Sequence, residues 1–178
     1  IKEINISDTL IPIYDNLEKL KKLNEYLVKN NIYIYLKPHP AQDISNLTHE
    51  KLSNFRIILD YDLKDLGVDL YEFLSGTDSL ITDYSSVYFD YLLKKNIIGV
   101  TLDDYDYYKK YLSCENYDKI ISGEHIYNEK DFLKYLKNLK NNNYNKEKYE
   151  EELKKYYTHL DCNSAKRLYE FIMKNILK

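Results

Sequence analysis

At 178 residues and 44% hydrophobic content, the chain is about one domain in size, long enough to bury a core and too apolar for wholesale disorder. Its 26 basic and 29 acidic residues leave a formal net charge of -3, which disfavours bulk nucleic-acid binding. The two cysteines, Cys114 and Cys162, lie far apart with no Cys/His spacing beside them, so the pattern predicts neither a zinc site nor a disulfide framework, and a reducing compartment is the default.

No run approaches the roughly eighteen apolar residues of a membrane span. The opening IKEINISD reads neither as a signal peptide nor as a natural start, so a piece of a longer protein is expected.

Taken in order, Asp15 or Asn16 is placed to cap a helix whose Leu17, Leu20, Leu23 and Leu27 share one face and which ends near Asn30 and Asn31. Residues 32–36, IYIYL, are rich in β-formers and stop at Lys37-Pro38-His39-Pro40, where proline removes the ladder donor. A short helix is expected from Thr48, a strand over 56–59 closed by Asp60, and a helix over 69–75 ended by Gly76. Ser79 to Thr82 reads as a third strand, Val87 to Lys95 as a helix and residues 97–102 as a fourth strand. A loop dense in Tyr and Asp follows over 103–118, then a strand at 119–121 and a helix capped by Asn128. Asn141-Asn142-Asn143 breaks the chain before two last helices, about 146–157 and 164–177.

Strands alternating with helices predict an α/β fold, a Rossmann-like parallel sheet flanked by helices. Ligands of such sheets bind outside the carboxyl ends of the strands, a rim that gathers His39, Asp60, Thr82, Asp83, Ser85 and Ser86. The join from 79–82 into the next helix has the form of an anion site, with Ser85 or Ser86 as cap and the free N–H groups of the first turn facing a phosphate.

Two stretches about forty residues apart, Lys37-Pro38-His39-Pro40 and Leu80-Ile81-Thr82-Asp83-Tyr84-Ser85-Ser86-Val87-Tyr88-Phe89-Asp90, together closely resemble the signatures of the CDP-glycerol glycerophosphotransferases, the teichoic acid and capsule polymerases and primases. Asp161-Cys162-Asn163-Ser164-Ala165-Lys166-Arg167 is similar to that family's Asp-Gly-Lys-Ser-Ser-x-Arg segment. The resemblance implies the carboxyl-terminal, nucleotide-binding half of a GT-B type fold. The family's amino-terminal half, its Ala-Pro-Thr-x-Arg segment and a second histidine are not found in this sequence. It makes His39 the catalytic residue and Lys37, Thr82, Asp83, Ser85, Ser86 and Ser164 the donor-binding residues, with no metal ligand and no cofactor besides the donor substrate. There are two departures: the 103–118 loop lacks the family's Arg-Gly element, and Cys162 stands where the family has glycine.

The activity so implied is transfer of glycerol phosphate, or another polyol phosphate, from a CDP-linked donor to a polymer or lipid-linked acceptor, in the cytoplasm or at the inner face of the membrane. Such chemistry needs positioning and charge neutralisation more than covalent participation. Two rival expectations are a GT-B half that uses a nucleotide sugar and a non-catalytic module that binds a nucleotide or a partner protein.

Overall fold

The computed structural model describes residues 13, 14, 16–38, 52–112 and 116–176, and within them short parallel strands alternate with helices. Helix α1 (Leu17–Asn30) starts at Asn16, whose side chain accepts the Lys19 N–H at 3.0 Å, and stops at Asn31 in the left-handed region with φ 53°. Leu20, Leu23 and Leu27 are buried, as their spacing predicts. Strand β1 (Ile34–Leu36) begins two residues later than expected, because the Ile32 N–H is drawn back to the Leu27 carbonyl at 3.0 Å to close the helix. It pairs in parallel with β2 (Phe55–Ile57), Ile34 opposite Phe55. The buried Asn54 joins strand to helix: its side chain donates to the Ile32 carbonyl and its backbone N–H donates to Asn24 Oδ1, both at 2.9 Å. The helix expected from Thr48 begins outside the described residues.

Asp60 does not close a strand. It opens α2 (Asp60–Leu66), where the Asp62 carboxylate accepts the Leu59 N–H at 2.7 Å and Gly67 at φ 71° ends the helix. Two acidic residues in the first turn and a glycine past the last make a start and a stop that the apolar pattern alone conceals. Helix α3 (Leu70–Ser75), expected over 69–75, starts from a capping box of Asp69 and Glu72.

The second ladder runs β3-β4-β5, all parallel: β3 (Leu80–Thr82), β4 (Ile98–Thr101) and β5 (Glu124–Ile126), with Thr82 opposite Val100 and Val100 opposite His125. Between β3 and β4 lies α4 (Val87–Leu92), shorter than the expected helix. After β4 come two helical turns, α5 (Tyr105–Tyr108) and α6 (Tyr117–Ile120). The strand expected at 119–121 is thus mostly helical, and the true strand, β5, starts at Glu124. The Ser122 and Gly123 N–H groups are both held by the Tyr88 hydroxyl at 2.9 Å, so the chain turns there before it joins β4. A Cβ at Gly123 would lie 2.8 Å from Val100 Cγ2, which shows how closely this turn approaches the sheet. Helices α7 (Glu129–Lys140), α8 (Lys146–Tyr156) and α9 (Ser164–Asn175) complete the order.

Helices cover both faces of this ladder. On one side α1 and α7 pack Leu23, Leu27, Phe132 and Tyr135 with Ile97 and Ile126; on the other α4 and α8 pack Tyr88, Tyr91, Tyr149 and Leu153 with Ile98 and Val100. β4, buried at all four positions, is the central strand. The packing is pinned by hydroxyls: Tyr149 bonds both the N–H and the carbonyl of Ile98, at 3.2 and 3.3 Å, and Tyr135 donates to the Leu80 carbonyl at 3.0 Å. Glu152 of α8, buried, accepts from the Tyr88 hydroxyl at 2.6 Å and the Ser122 N–H at 3.0 Å. Helix α9 buries none of its residues. Among the described residues, no helix is long and apolar enough to cross a membrane.

Candidate functional site

The carboxyl ends of β3 and β4 lie side by side because the two strands are parallel and in register, so the Asp83–Ser86 turn and the Asp103-Asp104 corner share one edge. The Thr101 hydroxyl ties them by donating to the Thr82 carbonyl at 3.2 Å. Asp83, Ser85 and Ser86 are exposed and Tyr84 is half-buried, so the turn presents two hydroxyls outward and one ring inward.

The helix cap differs from its sequence expectation. Ser86 is the cap residue, but its backbone is already helical (φ -63°, ψ -18°) and its side chain makes no cap bond; Ser85 Oγ receives the Val87 N–H at a long 3.4 Å. The Tyr88 and Phe89 N–H groups are not free either: they donate to the Ser85 and Ser86 carbonyls at 3.2 and 3.0 Å. A tight turn has consumed the donors that a fully extended cap would leave open. What this edge offers an anion is chiefly the pair of serine hydroxyls.

Behind the turn stands an aromatic cluster that the sequence shows only as a loop dense in Tyr and Asp. Tyr84 donates to Asp104 Oδ1 at 2.7 Å, and its ring lies among those of Tyr105, Tyr108 and Tyr117, with centroids 6.3, 5.5 and 5.7 Å away. Tyr117 in turn donates to the Asp83 carbonyl at 3.2 Å, and Tyr105 to Asp118 Oδ1 at 2.7 Å. Burial first, then the bond to Asp104, push the Tyr84 phenol well above its ordinary range, so it remains a donor.

Of the remaining predicted site residues, Lys37 leaves the end of β1 with its side chain mostly buried and forms a 2.8 Å ion pair with the exposed Asp60 at the start of α2. The structure thus joins Lys37 to Asp60 on one ladder and groups Thr82, Asp83, Ser85 and Ser86 on the other. His39 lies outside the described residues. Ser164 opens α9, where the hydrogen bonds stay within its own motif: Arg167 grips both oxygens of Asp161 at 2.9 Å and reaches Ser164 Oγ at 3.4 Å. That bidentate pair, with the Asn163 N–H, holds the Asp161 carboxyl well below its usual range. Cys162, where the resemblance places a glycine, takes a left-handed φ of 56°, a conformation that glycine adopts without steric cost. Among the described residues, no group of His, Cys, Asp and Glu is arranged to hold a metal ion.

The family profile described as CDP-Glycerol:Poly(glycerophosphate) glycerophosphotransferase matches residues 13–174. The chain belongs to this family. Among relatives, it is 34% identical over 148 residues to the teichoic acid glycerol-phosphate primase of Bacillus subtilis (strain 168), an alignment that covers 82% of this chain and 35% of the primase. It is 28% identical to the teichoic acid ribitol-phosphate polymerase TarL of Staphylococcus aureus (strain NCTC 8325 / PS 47), covering 83% of this chain and 25% of the polymerase. The structure of the wall teichoic acid polymerase TagF superposes with a TM-score of 0.59 at 26% identity, covering 96% of this chain and 40% of that chain. The chain therefore spans about a third of the primase's length. Membership in the glycerophosphotransferase family bears out the resemblance carried by the motifs at 37–40, 80–90 and 161–167, all of which fall inside the match. The α/β fold of parallel strands between helices is likewise as expected.

Proposed function

We propose that this chain supplies the donor site of a transferase that moves glycerol phosphate, or a related polyol phosphate, from a CDP carrier to a hydroxyl of a growing teichoic acid-like or capsular polymer. The observation that carries this reading is the family match over residues 13–174, joined to an edge where Ser85 and Ser86 stand exposed at the carboxyl end of β3. The serine hydroxyls donate to the diphosphate, and Lys37 contributes a positive charge from the carboxyl end of β1, partly offset by Asp60. His39 donates to phosphate oxygen or protonates the departing nucleotide. No cofactor or metal takes part, and the base that activates the acceptor comes from elsewhere in a longer, two-part enzyme at the cytoplasmic side of the membrane.

Calorimetry with CDP-glycerol, CDP, UDP and cytidine tests this. Weak binding of both CDP ligands, with UDP and cytidine weaker still, is the expected result, because a donor normally buried between two halves is here held on one side only. Equal affinity for CDP and UDP would overturn the cytidine preference and favour a nucleotide-sugar donor. Binding of none of the four would favour the non-catalytic module. His39→Ala should lower transfer by the full enzyme about a hundredfold or more, the usual size of an acid-base contribution; a change within about threefold would remove His39 from the site.

A further inference from the structure

We infer that the tyrosine cluster of the 104–118 loop is a clamp that positions the Ser85-Ser86 turn, with Tyr84 as its central positioning residue; this rests on the reading of that turn as the phosphate-holding element. Two tethers cross between loop and turn in opposite directions. The turn donates from Tyr84 to the loop's Asp104 at 2.7 Å, and the loop donates from Tyr117 to the turn's Asp83 carbonyl at 3.2 Å. Residues 83 and 84 are thus both held from the loop, directly before the two serines. The rings of Tyr105, Tyr108 and Tyr117 surround Tyr84, so it cannot swing away without opening the cluster. The loop is itself braced by the Tyr105 bond to Asp118 at 2.7 Å.

Apart from the loop, among the described residues the turn is anchored only at its ends, by the Thr101 bond to the Thr82 carbonyl before it and by the buried Tyr88 after it, and these leave residues 83–86 between them unheld. Its internal bonds are local, the Ser85 side-chain bond is a long 3.4 Å, and α4 extends only six residues beyond it. A hydroxyl pair that must meet a diphosphate in one geometry gains from being ordered before the ligand arrives, since the ordering cost is then not drawn from binding. The loop that lacks the Arg-Gly element therefore acts on the donor site through the turn, without touching the donor.

Tyr84→Phe removes one tether and keeps the ring; Tyr117→Phe removes the other; Asp104→Asn keeps an acceptor oxygen and serves as the conservative control. Two measurements on the 178-residue chain decide the matter. In native-state hydrogen exchange, Tyr84→Phe and Tyr117→Phe should speed exchange of the Val87, Tyr88 and Phe89 amides relative to those of β4, while Asp104→Asn stays near wild type. In calorimetry, Tyr84→Phe should weaken CDP about three- to tenfold, the worth of one hydrogen bond, and leave cytidine unchanged. Unaltered exchange at the turn, or acceleration shared equally with β4, would overturn the clamp. So would an equal loss of CDP and cytidine affinity. A wild-type chain that binds no CDP would overturn the phosphate reading, while the exchange comparison would still judge the clamp.

Discussion

Glu152 offers a sharp test of what holds the site's framework. Replacing it with alanine removes the acceptor of the 2.6 Å bond from the Tyr88 hydroxyl and of the 3.0 Å bond from the Ser122 N–H. Ser122 retains a partner, because its N–H also reaches the Tyr88 oxygen at 2.9 Å, whereas the Tyr88 proton loses its carboxylate inside the core. Burial, then Glu152, push the Tyr88 phenol up, so it stays a donor. Bonds to a charged group are worth about 1.5–3 kcal/mol each, and an orphaned donor costs about 1–3 kcal/mol. Against this, the second carboxylate oxygen is buried with no hydrogen-bond partner, so its removal returns part of the loss. The balance is about 3 kcal/mol, which for a chain of this size lowers Tm by about 6–12 °C. Glu152→Gln keeps one acceptor oxygen and drops the buried charge, and should cost about 1 kcal/mol or less. Thermal and urea melts of both variants give the answer. An alanine variant within about 0.5 kcal/mol of wild type, or a glutamine variant as unstable as alanine, would refute the account of the α4–α8 junction given above.

Gly99→Ala should destabilise by about 1–3 kcal/mol through overpacking, because its Cβ would meet Ile126 Cδ1 at 2.8 Å and the Tyr135 ring at 3.0 Å; an unchanged urea midpoint would show that α7 yields freely. Burial first, and then Lys148, lower the pKa of His125, with Asp118 and Glu124 opposing, so the unfolded chain takes up the proton more readily than the folded one. Stability should therefore be complete above about pH 6.5 and fall below it until the folded pKa is passed; His125→Gln should flatten that stretch of the pH–stability curve, and an identical slope would remove His125 as its source. Asp60→Asn should change stability by less than about 1 kcal/mol, since one partner of the pair is solvated, yet it should strengthen CDP binding if Lys37 is a donor-site cation. Weaker CDP binding in that variant would reverse the role given to the pair.

The helices of this fold were plain in the sequence where caps and apolar spacing agreed: Asn16 with the leucines of α1, Asp69 with Glu72, Asn128 before α7. One misplaced element has its determinant far along the chain. Residues 119–121 have a strand's composition, but the Tyr88 hydroxyl, more than thirty positions away, fixes the turn at Ser122-Gly123 and moves the strand to Glu124–Ile126. Asp60 was hidden by a different cause, since a helix begun by acidic residues directly after a strand looks like the end of that strand. At the candidate site, the motif residues 82–86 were legible as one stretch because they are contiguous. Their support was not, because Asp104 and Tyr117 meet them only through the parallel register of β3 and β4.

The abundance of tyrosine gives this interior a sense of direction. A leucine or phenylalanine core can be repacked in several orientations with little to distinguish them, but a phenol must bring its oxygen to a polar partner, and Tyr149 at Ile98, Tyr135 at Leu80 and Tyr88 at Ser122 and Gly123 each have one address. Strands of three or four residues carry few ladder bonds to define their alignment. The phenols act as surveyor's marks that set each helix at one height along the sheet. A tyrosine-to-phenylalanine series through the core would therefore erode the uniqueness of the packing sooner than its compactness.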